Sequence, residues 1–80
     1  MMQRMKLEAQ FSNMVDMTQL WFKIHFIESV KVAFYGGKNH IQFEGDVKDG
    51  MFIVEHLREA CAKKRADIGI YMEFDREEVV

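Results

Sequence analysis

Hydrophobic and polar positions change period along the chain. Over residues 4–11 they alternate: Met5, Leu7, Ala9 and Phe11 share one face, Lys6, Glu8 and Gln10 the other. Period two with one wet face predicts a half-buried strand, because successive side chains leave a strand on opposite sides. Ser12-Asn13 follows and is read as a helix N-cap, since a short side-chain oxygen can accept from an orphan amide of the first turn. Over 14–28 two periods compete. On a helix, Met14, Met17, Trp21, Ile24 and Glu28 run along one side, and Asp16, Gln19 and Lys23 form a narrow polar stripe. Phe22, Phe26 and Val15 flank that stripe on one side, Leu20 and Ile27 on the other. Such a helix is buried on both sides or presents a sticky face. On a strand, Phe22, Ile24 and Phe26 alternate with Lys23 and His25. The spacing predicts helix over 14–21 and leaves 22–28 open between the two.

Residues 30–35, Val-Lys-Val-Ala-Phe-Tyr, alternate again and are β-branched or aromatic. Gly36-Gly37-Lys38-Asn39 tolerates positive φ and signals a hairpin. Over 40–47, Ile41, Phe43 and Val47 point inward, and His40, Gln42, Glu44 and Asp46 outward. Lys48-Asp49-Gly50 breaks the strand, with Asp49 placed to cap a helix over 51–65. In that helix Ile53, Val54, Leu57, Ala60, Cys61 and Lys64 make the packed stripe, and Glu55, Arg58, Glu59 and Lys63 the wet one. Lys63-Lys64-Arg65 complements the negative end of the helix dipole. Residues 67–74 predict a last strand with Ile68, Ile70, Met72 and Phe74 inward, Tyr71 and Glu73 outward, before a polar tail at 75–80.

The order strand, helix, strand, strand, helix, strand predicts an α+β fold: a ferredoxin-like βαββαβ two-layer sandwich, its four-stranded antiparallel sheet covered by both helices on one face. The alternative is a shorter first helix and a β-meander through 21–47, leaving one long helix. At 80 residues and 49% hydrophobic content, residues 1–80 form a single domain with a thin stability margin. Self-association into a homodimer, or a protein partner, would widen that margin. No run of about 18 uncharged apolar residues predicts a membrane span. Arg4, Lys6 and Glu8 interrupt any leader-like stretch. The lone Cys61 excludes an intrachain disulfide, and the expectation is a reducing, cytoplasmic setting.

Charge narrows the choice of partner. Residues 1–40 carry five bases (Arg4, Lys6, Lys23, Lys31, Lys38) against three acids (Glu8, Asp16, Glu28), and the second half is net acidic. The net charge of −2 lacks the positive excess of a nucleic-acid binder. With the first and third strands central, the open sheet face would carry Lys6, Glu8, Gln10, Gln42 and Glu44 at its centre, with Lys31, Tyr35, Tyr71 and Glu73 at its edges. An RNA-reading sheet needs aromatic platforms at the centre.

Catalytic chemistry finds little footing. His25, His40, His56 and Cys61 lack the close pairing of a zinc site, and His25, on the Met14–Trp21 side, reads as a buried neutral imidazole. Gly36-Gly37-Lys38-Asn39-His40 lacks the P-loop pattern and reads as a tight turn. Glu44 with Asp46, and Glu73 with Asp75, fall on exposed faces, whereas a general acid needs a carboxyl in an apolar pocket. Cys61 lies on a packed stripe, where thiols are inert. No catalytic residue, metal or cofactor is expected.

The expectation is therefore a small non-enzymatic protein-protein interaction module, an adaptor or inhibitor of the size that phages and mobile elements often encode. Its partner-binding residues would be Trp21, Phe22 and Phe26 on the first helix, and Tyr35, Tyr71, Gln42 and Glu44 on the open sheet. The alternatives are nucleic-acid binding through Lys63, Lys64, Arg65, Lys31 and Lys38, and small-molecule sensing at a dimer boundary.

Overall fold

The computed structural model describes residues 3–75, so all of the expected polar tail but Asp75 lies outside them. The elements are β1 (Arg4–Ser12), α1 (Met17–Ile24), β2 (Val30–Tyr35), β3 (Lys38–Asp46), α2 (Val47–Lys63) and β4 (Ile68–Phe74). They form an α+β fold with an open four-stranded antiparallel sheet in the order β2-β3-β1-β4 and two helices. β1 and β3 hold the centre, in a register running from Arg4 opposite Asp46 to Ser12 opposite Lys38. The segment 21–29 contributes no strand, which removes the meander alternative.

Alternation decides which face of the sheet is dry. Met5, Leu7, Ala9 and Phe11 of β1 and Ile41 and Phe43 of β3 are buried together with Ile53, Val54, Leu57 and Cys61 of α2. Leu20 and Ile24 of α1, and Val15 and Ile27 beyond its ends, complete this core. α2 packs on β1, β3 and β4, and α1 packs against α2. Gly50 brings α2 down onto the sheet: a Cβ there would run into Sδ of Met5. The β2–β3 turn is tight because Gly36 and Gly37 both take positive φ, 61° and 73°, between the paired residues Tyr35 and Lys38.

Both helix starts differ from the sequence expectation. Ser12 ends β1, and its Oγ accepts from the Met14 amide at 3.1 Å within the turn. Asp16 is the N-cap of α1, accepting from the Thr18 and Gln19 amides. Asp46, not Asp49, caps α2, its Oδ1 accepting from the Lys48 amide at 3.2 Å. Val47 therefore opens a helix rather than closing a strand, and Asp49 sits in the first turn, where its charge suits the helix dipole. With α1 confined to eight residues, its dry side is Leu20 and Ile24. Met14, Trp21 and Glu28 turn outward, and His25 caps the helix on the surface instead of lying buried. Lys64, expected on the packed stripe of α2, is its exposed C-cap.

Candidate functional site

The expected partner-binding residues fall on two opposite sides of the molecule. Trp21, Phe22 and Phe26 lie in the helix layer. Leu20 and Ile24 point into the core, so a rotation of about 100° per residue carries Trp21 and Phe22 outward. Phe22 is 71% exposed, Phe26 65% and Trp21 37%. His25 joins them, its ring 6.2 Å from Trp21 and 6.3 Å edge-on from Phe22. Phe26, just past the helix, meets Phe52 of α2 edge-on at 5.6 Å, and Phe52 in turn meets His56 at 4.4 Å. His56 Nδ1 is shielded from solvent and has no hydrogen-bond partner. The rings fall into two groups, Trp21 and Phe22 about His25 on α1, and Phe26 with Phe52 and His56 leading onto α2, with Trp21, Phe22 and Phe26 in solvent.

The other four residues, Tyr35, Tyr71, Gln42 and Glu44, occupy the uncovered sheet face. Register places Lys31, Gln42, Glu8 and Tyr71 in one row across the sheet, and Ala33, His40, Gln10 and Gly69 in the next. A third row sets Lys6 between Glu44 and Glu73. The centre is polar and the tyrosines stand on the outer strands. Tyr35 is not free-standing: His40 stacks on it at 3.6 Å, nearly parallel, while His40 Nε2 lies 3.2 Å from the Tyr35 carbonyl. A shallow trough runs between this pair and Tyr71, floored by Glu8, Gln10 and Gly69.

The basic residues also divide. Lys63, Lys64 and Arg65 are exposed at the end of α2, where they complete the helix. Lys63 Nζ pairs with Glu59 Oε1 at 3.7 Å, and Arg65 takes φ 51° as the chain leaves the helix. Lys38 shares a concavity with Arg65, beside Asp67. Lys31 belongs to the open face, around a different concavity that also holds Arg4, Lys6, Glu8 and Glu44. Neither group makes a purely basic surface.

Cys61 is buried, and loss of solvation pushes its thiol above the ordinary cysteine value, which keeps it neutral and unreactive. Asp46 is occupied as a helix cap, while Glu44, Glu73 and Asp75 are exposed. Among the described residues no three His, Cys, Asp or Glu side chains stand together to hold a metal ion, and no helix is long and apolar enough to cross a membrane.

Reading the sequence missed the exposure of β2. Phe34 is 62% exposed and Val32 43%, although both point to the helix side of the sheet. It also missed Phe52, which joins Phe26 to His56. The one available signal was in residues 30–35, where both faces are largely apolar and Lys31 is the only charge. No protein-family model and no curated protein sequence matches the chain.

Proposed function

We propose that this chain is a small non-enzymatic protein-interaction module, an adaptor or inhibitor that works by docking a protein partner. The exposed rings of Trp21 and Phe22, and of Phe26 against Phe52, carry the reading. Isolated domains seldom leave contiguous large aromatics in water, because each forfeits its burial free energy, and aromatic anchors dominate binding at protein interfaces. The strand order β2-β3-β1-β4, with a helix in each crossover, supports reading the fold as ferredoxin-like. A free, buried thiol accords with a reducing, cytoplasmic setting, and self-association belongs to the same reading. The compact size suits a phage or mobile-element product.

The test is affinity purification of the tagged chain from lysate of the cells that make it, with and without nuclease, beside the double variant Phe22→Asp with Phe26→Asp. A stoichiometric protein that survives nuclease and is lost from the folded double variant supports the module. Partners lost on nuclease treatment, or nucleic acid bound with a steep salt dependence, would replace it with the nucleic-acid reading.

A further inference from the structure

We infer that a second copy of this chain pairs with β2, extending the sheet across a twofold axis centred on Val32. The inference rests on the self-association included in the reading above, but uses a surface separate from the α1 aromatics. Among the described residues β2 is an edge: it pairs with β3 alone, in an unbroken one-to-one register from Val30 opposite Phe43 to Tyr35 opposite Lys38. A two-residue turn closes on a hydrogen-bonded pair, and such pairs alternate along an antiparallel ladder. Tyr35, Ala33 and Lys31 therefore bond β3, while Val30, Val32 and Phe34 aim their amides and carbonyls away from the sheet.

Edges of this kind are normally blunted by proline, bulges or several charges. β2 has no proline or bulge, and Lys31 is its single charge. Both of its faces are open to solvent from Lys31 to Tyr35. The opposite edge, β4, differs in its inward face: Ile68, Ile70 and Met72 are half-buried there, whereas Val32 and Phe34 of β2 are exposed.

The sequence of β2 fits its own inverted copy. In the register centred on Val32, Val32 faces its counterpart and Val30 faces Phe34 of the second copy. All three outward-facing residues find hydrogen-bond partners, and their apolar side chains meet on the helix side. On the open face Lys31 stands directly opposite Ala33, and its two diagonal neighbours, farther off, are Tyr35 and Lys31 of the second copy. Charge thus favours this pairing over a register shifted by two residues that would set Lys31 against itself. A twofold closes after two copies, so the assembly ends at a dimer.

Sedimentation equilibrium of the full chain should give twice the 9.5 kDa monomer mass. Val32→Lys and Phe34→Lys, each checked by circular dichroism, should sediment as folded monomers, because they set lysines at the axis or beside it. A short bismaleimide should cross-link Val32→Cys to a dimer but leave a Thr18→Cys control on α1 monomeric, with Cys61 shielded by burial. This cross-link decides the matter even where a lysine variant fails to fold. A monomeric wild type overturns self-association itself and leaves docking through α1 to stand or fall on the lysate experiment. A dimer that survives both lysine substitutions, a mass above two chains, or equal cross-linking of the control overturns the β2 edge.

Discussion

Gly50 shows how one missing Cβ sets a packing distance. Any larger residue meets the side chain of Met5, itself buried between β1 and α2. Gly50→Ala gains up to about 1 kcal/mol of helix propensity, yet overpacking costs about 1–3 kcal/mol. The net expectation is a lower urea midpoint, and an unchanged or higher one would show that Met5 repacks freely. Leu57, fully buried on α2, should lose about 2–5 kcal/mol on substitution by alanine in the same assay. Cys61 adds a pH dependence. Burial raises its thiol in the folded chain, so its contribution is whole below the unfolded thiol value and is lost as pH rises through the folded one. As pH rises above about 8.5, the ordinary thiol value, the wild-type midpoint should fall more than that of Cys61→Ala.

The helices owe their boundaries to aspartates that begin them from extended backbone. Asp46 belongs to the end of β3 and caps α2 with its side chain, so the strand passes into the helix without a loop. Asp46→Ala should cost about 1 kcal/mol, against about 0.3–0.5 kcal/mol for Asp49→Ala, which loses only a dipole interaction. Thermal melts of the two variants separate the roles, and equal losses would contradict the cap assignment. α1 is too short to persist alone and depends on Leu20 and Ile24 to hold it on the core. Its brevity also explains why Phe26, one turn past Phe22, leaves the helix axis and reaches Phe52.

Among the described residues, exposed aromatic and apolar side chains gather on the aromatic side of α1 and at the β2 edge, with Met14, Met51, Tyr71 and Phe74 exposed elsewhere. Phe22→Asp with Phe26→Asp should shift the melting temperature little, because both rings are mostly in solvent, while abolishing partner capture. A collapse of the fold would instead assign the rings to the core. The uncovered sheet face is a different kind of surface, since its centre is polar, with Lys6 between Glu44 and Glu73, and its tyrosines stand on the outer strands.

Much of this fold was legible along the chain. Alternation in 4–11, 30–35, 40–47 and 67–74 located four strands, though Val47 opens α2 and Phe74, read as inward, is exposed; the Gly36-Gly37 pair located the hairpin. These signals are local: period two follows from backbone geometry, and positive φ selects glycine. Helix starts were less legible, because Ser12, Asp16, Asp46 and Asp49 can all cap, and the choice depends on where the adjoining strand stops pairing. Among the candidate residues, outward phase on the strands foretold the exposure of Tyr35, Tyr71, Gln42 and Glu44. Placing both helices on one face already set Trp21, Phe22 and Phe26 opposite those four; that 22–28 forms no strand and that these rings stay in solvent depended on how α1 packs against α2. The openness of β2 is likewise a tertiary property: Val32 and Phe34 have the inward phase of a buried strand, and they remain in water because β2 stands at the edge of a sheet whose main helical cover, α2, lies over β1, β3 and β4.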